Sequence, residues 1–293
     1  MSHTESDANA ESKISISNGA ALGLAKTIMT QLKYSSLIYE PLPDRTELAR
    51  RMRHVKSLGY DGIELTITHP LPFTIEEIEE LTAEHDLPVV SFLSGWSYEA
   101  ENLCLSTGDA GIRDRAVERL SGYAEQAARL GAVLVIGLMQ GLRSDEADES
   151  KAHERIVDCL RRVSNTANKC GANLIIEPVN HLQVGFHHSA DEVAALVAEV
   201  DSPALGYMLD TIHLNIEEHD VLETIRKHGP HVGHFHLCDT NGGPFGSAGL
   251  DFAAVLRTLA EIRFEHFVSV KIYRKESWDE SSKSAMEFLK KLR

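Results

Sequence analysis

The sequence predicts a single (β/α)8 barrel of parallel strands, and two observations point to it. Short β-branched runs alternate with longer amphipathic stretches, and the alternation occurs eight times. A length of 293 residues with 43% apolar content suits one large core of this kind. A doubly wound open sheet is the alternative, but no G-x-G-x-x-G follows the first run.

Taken in order, the first eighteen residues, MSHTESDANAESKISISN, are polar and lack the apolar core of a signal peptide, so residues 1–19 read as a disordered lead. Residues 20–293 then form one barrel domain. Its strands are expected at ALGLAKTIM from Ala21, DGIELTI from Asp61, LPVVSFL from Leu87 and AVLVIGL from Ala132. The remaining four are ANLIIEPV from Ala172, ALGYMLD from Ala204, HVGHFHL from His231 and HFVSVKIY from His266. Between them lie stretches such as DRAVERLSGYAEQAARLG and ESKAHERIVDCLRRVSNTANKCG, with apolar residues three and four apart and a glycine at the end, the pattern of a capped helix. GLRSDEADES after the fourth run reads as a solvated acidic loop without a function.

A net charge of −15 would repel a phosphate backbone, so a small molecule is the expected partner rather than nucleic acid. No apolar run is long enough to span a bilayer. Cys104, Cys159, Cys170 and Cys238 form no C-x-x-C pair and read as reduced thiols of a cytoplasmic protein.

Barrels of this class carry their chemistry at the C-terminal ends of the strands. Strand five ends with Glu177 in LIIEPVNH, strand six with Asp210 in YMLDTIHLN, strand seven with His236 in GHFHLCDTN and strand eight with Lys271 in FVSVKIYR. Two carboxylates and an imidazole on successive strand ends form an oxygen-rich donor set that suits Mn²⁺, Mg²⁺ or Co²⁺ better than thiol-seeking metals. Asp210 alone equally suits a helix cap. Of the histidines on strand seven, His236 is expected in the barrel mouth, while His234 is taken to face the other way and to serve in packing or at the surface.

LDTIHLNIEE, with IIEPVNH and GHFHLCDTN, resembles the strand ends of the sugar isomerase/epimerase family, xylose isomerase-like TIM barrels that include the D-tagatose and other ketose 3-epimerases. The similarity covers nearly the whole chain after about residue 20. It implies a Mn²⁺-type ion held by Glu177, Asp210, His236 and a glutamate on strand eight, with the two glutamates on opposite faces of the sugar. It also implies a substrate-side His213, a substrate-side carboxylate at Glu64, and association as homodimers or homotetramers. Lys271 stands in the second glutamate's place. Further departures surround it: the family's E-P-x-N-R-[YF]-E is here Glu177, Pro178, Val179, Asn180, His181, Leu182, Gln183, so an arginine is lost and Gln183 replaces a substrate-binding glutamate. After strand seven an arginine-bearing loop becomes Asp239, Thr240, Asn241, Gly242, leaving Asn241 as the polar candidate there, while PFGSAGLDF keeps the usual helix opener. Trp96, after strand three, is expected as an apolar wall for a sugar ring.

The implied chemistry is proton abstraction beside a ketone to give an enediolate, with Glu177 as base and a second group serving the opposite face. Both carboxylates favour the charged form of Lys271, which makes it a poor base but leaves it able to donate a proton. Its ammonium can also stand where the cation would have stood, or repel it. Three readings follow: an epimerase or isomerase of a ketose or keto-acid with weakened metal binding and activity, a ligand-binding barrel without turnover, and a lyase acting on oxidised glycosides. The DNA-hydrolysing branch of the superfamily needs more histidine and carboxylate ligands than the strand ends supply.

Overall fold

A computed structural model describes residues 32–274 and 277–292. Eight parallel strands close into a barrel in sequence order, as the eight runs require. They are β1 Lys33–Ile38, β2 Gly62–Thr66, β3 Val89–Leu93, β4 Val133–Ile136, β5 Asn173–Ile176, β6 Leu205–Asp210, β7 His234–Leu237 and β8 Phe267–Val270. β1 closes the ring by pairing with both β2 and β8, with Ser35 opposite Gly62 on one side and Ser269 on the other.

The strands from β2 to β8 fall within the expected runs. Strands of a closed parallel barrel are covered on both sides, so their side chains are apolar almost without alternation, and VLVI or NLII is easily read. The first strand is a correction. The run ALGLAKTIM and the lead of residues 1–19 lie outside the described residues, and the strand that closes the barrel is KYSSLI, whose two buried serines break the apolar signature.

The two long helices end at the expected glycines. Ala110–Leu130 begins at Asp109, whose side chain accepts from the amides of Gly111 and Ile112, and ends at Gly131 in the left-handed conformation. Glu149–Cys170 begins at Asp148 and ends likewise at Gly171. Both bury a stripe of side chains, among them Leu120, Ala124 and Ala127 on the first and Ile156, Leu160 and Val163 on the second. Each fully buried leucine of this kind contributes roughly 1.5–3 kcal/mol. Among the described residues no helix is long and apolar enough to cross a membrane.

Candidate active site

Glu177 lies one residue beyond β5, its amide still paired with the Ile136 carbonyl, and Lys271 lies one residue beyond β8, its amide paired with that of Leu237. Asp210 ends β6 and His236 lies within β7, opposite Asp210 in the register. Closure of the barrel therefore turns four consecutive strand ends toward one point, as the sequence predicts. Glu177, Asp210, His236 and Lys271 are all buried.

The Lys271 ammonium is central to the cluster. Its Nζ donates to Asp210 Oδ2 at 2.6 Å and stands 3.6 Å from Glu177 Oε1. Asp210 also serves as the helix cap the sequence allows, because its Oδ1 accepts from the amide of Ile212 and caps the helix Thr211–Glu217. His236 presents Nδ1 to Glu177 Oε1 at 3.3 Å and to Asp210 Oδ2 at 3.4 Å. Gly137, at the end of β4, leaves room for Glu177: a Cβ there would meet Glu177 Oε2 at 2.7 Å.

Charges in this cluster hold one another. Burial pushes the Glu177 and Asp210 carboxyls up, but the Lys271 ammonium, followed by His236 and His213, outweighs it and leaves both below their ordinary range. Burial likewise works against the lysine cation, and the two carboxylates overcome it, so Lys271 is raised well above the ordinary lysine value. His213 is lowered, chiefly by burial. Its Nδ1 lies 2.7 Å from Asn180 Nδ2, and accepting there leaves the Nε2–H facing Glu177 Oε1 at 3.6 Å and Asp210 Oδ2 at 3.7 Å.

Beneath this layer is a second one that the sequence reading assigns differently. Side chains two residues apart on a strand share a face, so His234 points into the barrel with His236 rather than away from it. Its Nε2 lies 3.4 Å from Glu64 Oε1, and His236 Nε2 lies 3.0 Å from the same oxygen. Glu64 lies in the middle of its strand rather than at its end, and it does not line the cavity. It sits fully buried within β2, accepts a short hydrogen bond from Ser269 Oγ, and with His236 forms an ion pair that raises the imidazole well above its ordinary pKa despite burial. Both of its carboxylate oxygens lie within hydrogen-bond distance of His236 Nε2, at 3.0 and 3.1 Å.

Two sets of three donor atoms lie within 4.8 Å of one another among the described residues: Glu177, Asp210 and His236, and Glu64, His234 and His236. Glu177 Oε1 lacks a hydrogen-bond partner, as a cation-seeking atom would. Yet the ammonium already neutralises the upper set. A divalent ion about 4 Å from it would meet repulsion on the order of 8 kcal/mol at an effective dielectric of about 20. With Lys271 in this position the upper set does not fit a divalent ion.

A cavity opens above the cluster, lined at its floor by Glu177, His213 and Lys271. Trp96 and Gln183 line it as expected. Asn241 does not reach it, because its Oδ1 accepts from the amide of Gly243 and its Nδ2 donates to Ser247 Oγ, which shapes its own loop. His181, where the family has arginine, pairs with Glu217 instead. Tyr39 and Tyr273 also line the cavity. Tyr273 was readable as the next same-facing residue after Lys271, whereas Tyr39 follows the strand that the sequence hides.

Comparison with known proteins bears on the fold and the family. The chain is 27% identical over 256 residues to an L-ribulose 3-epimerase from Mesorhizobium japonicum, covering 86% of this chain and 84% of the relative. It is 28% identical over 215 residues to a D-psicose 3-epimerase from Ruminiclostridium cellulolyticum, covering 72% and 73%. The crystal structure of an apo 3-keto-D-glucoside 4-epimerase from E. coli superposes with a TM-score of 0.78 at 20% identity, covering 89% of this chain and 99% of the other, which shows a shared fold. Residues 52–292 match the family profile directly, and the chain belongs to the xylose isomerase-like TIM barrels.

Proposed function

We propose that the protein is a carbohydrate epimerase-type enzyme that enolises a keto sugar, with the Lys271 ammonium standing where its relatives would place a divalent ion. The observation that carries this reading is the placement of a carboxylate, Glu177, and a buried cation, Lys271, 3.6 Å apart on the floor of one cavity. Glu177 takes the proton from the carbon beside the carbonyl. The electron pair moves to the carbonyl oxygen, and the negative charge that forms there is met by the N–H groups of Lys271 and His213. Return of a proton from Lys271 to the opposite face gives the epimer once the substrate carbon has parted its Nζ from Glu177 Oε1, 3.6 Å away here, and the proton held by Glu177 then passes back to the amine. Trp96 and Gln183 contact the remainder of the sugar, and homodimer or homotetramer association and cytoplasmic residence belong to the same reading.

One observation favours a second reading, a sugar-binding barrel without turnover. Lys271 is held in its charged form by Asp210 at 2.6 Å, which opposes release of its proton. Incubation of the protein with L-ribulose, D-psicose and a 3-ketoglucoside in D₂O separates the two. Enolisation predicts deuterium at the carbon next to the carbonyl of at least one of them. Binding with no exchange in any would establish the second reading.

A further inference from the structure

We infer that the sugar acted on is uncharged and carries a flat apolar substituent, as a keto-glycoside with an aromatic aglycone does. This deepens the proposed function and rests on it. The inference comes from the division of the cavity into two unlike halves. Its floor is ionic, with Glu177 and Lys271 committed to one another and to Asp210. Its upper part is largely aromatic and aliphatic, with Glu99 as its one carboxylate among the described residues.

Three aromatic side chains from three different strand ends meet there: Tyr39 after β1, Trp96 after β3 and Tyr273 after β8. The rings of Tyr39 and Tyr273 are 6.3 Å apart and tilted by 40°, and Tyr39 is 36% exposed at the entrance. Leu93 and Leu138 extend the same apolar surface. The hydroxyls of a bare sugar placed against these leucines would lose water without gaining partners, at a cost of roughly 1–3 kcal/mol for each unpaired group. A planar apolar group placed there gains burial and ring contacts instead.

Charge points the same way. Among the described residues no arginine lines the cavity, and Lys271, its lysine, is only 7% exposed and already paired with carboxylates. Glu99 adds negative charge near the entrance and accepts from the Tyr39 hydroxyl, whose pKa is pushed up to about 12 by burial and then by that carboxylate. Tyr39 therefore remains a neutral phenol. A phosphate or carboxylate on the substrate would find two carboxylates and no free cation.

The test is titration of the intact protein with methyl 3-ketoglucoside, 4-nitrophenyl 3-ketoglucoside and 3-ketoglucose 6-phosphate, read by calorimetry and by deuterium exchange on the same ligands. The inference predicts that the nitrophenyl glycoside binds about tenfold tighter than the methyl glycoside, equivalent to about 1.4 kcal/mol, and that the phosphate binds weakest. Tyr273→Leu and Trp96→Leu, checked for folding by their thermal transitions, should each narrow the difference between the two glycosides. Equal affinities, tighter binding of the phosphate, or no binding of either glycoside would overturn it. Exchange without the aryl preference would overturn this inference and leave the enolisation standing. The preference without exchange would support the ligand class and remove the enolisation.

Discussion

At position 271 a lysine stands beside two carboxylates in a closed barrel, and its removal exposes what it does. Lys271→Met keeps most of the side-chain volume and deletes the charge, leaving Glu177 and Asp210 facing each other with the imidazoles of His236 and His213 beside both. Leaving a buried charge without its partner costs about 3–5 kcal/mol, so the thermal midpoint should fall by on the order of 10 °C at neutral pH. Sign and window follow from the shifts. The carboxyls sit below their ordinary values of 4.5 and 3.8, so their contribution is present above those values and is lost as pH falls through the lowered ones. Lys271 sits above its ordinary 10.5, so its contribution is complete below that value and is lost only as pH rises through the raised one. The gap between the two proteins should therefore be widest from about pH 5 to about pH 10 and shrink in acid. A gap that is absent at pH 7 would place the ammonium outside the cluster.

Strands and loops carry these side chains to the mouth, and the loops after β7 and β8 are tied at one glycine. The Gly242 carbonyl accepts from the amides of Tyr273 and Arg274, and Gly242 itself has a φ of +71°. An alanine there meets both strain and crowding, since its Cβ would come within 2.6 Å of the Tyr273 hydroxyl oxygen. Gly242→Ala should cost about 1–3 kcal/mol in denaturant unfolding and, by displacing the Tyr273 ring, weaken the aryl glycoside more than the methyl one. The elements also show what a sequence reveals. Glu177, Asp210, His236 and Lys271 are legible because each is a polar residue at the end of an apolar run, where a barrel places its chemistry. Glu64 and His234 are harder, because a polar layer inside the barrel gives no such boundary, and the strand period must be applied with two residues to a face. KYSSLI is hidden because its buried serines resemble a loop, and Tyr39 is hidden with it.

Over the whole molecule, barrel closure brings together groups from positions 64 to 271 that no local interaction could hold. The carboxylates of this cluster, Glu64, Glu177 and Asp210, are answered by two cations, Lys271 and the His236 imidazolium. The protein is thus organised around a cation supplied by its own chain. Lys271→Glu turns that arrangement into three carboxylates and a histidine at the mouth, a change of two charge units that favours a divalent ion. The most direct measurement is metal content after incubation with Mn²⁺ and exhaustive dialysis, performed on the unaltered protein and on Lys271→Glu, with the thermal midpoint followed as Mn²⁺ is added. The prediction is little or no retained ion and no midpoint shift for the unaltered protein, against about one ion per chain and a rise in midpoint for Lys271→Glu. Stoichiometric Mn²⁺ in the unaltered protein would contradict it, because the ion and the ammonium cannot share the site.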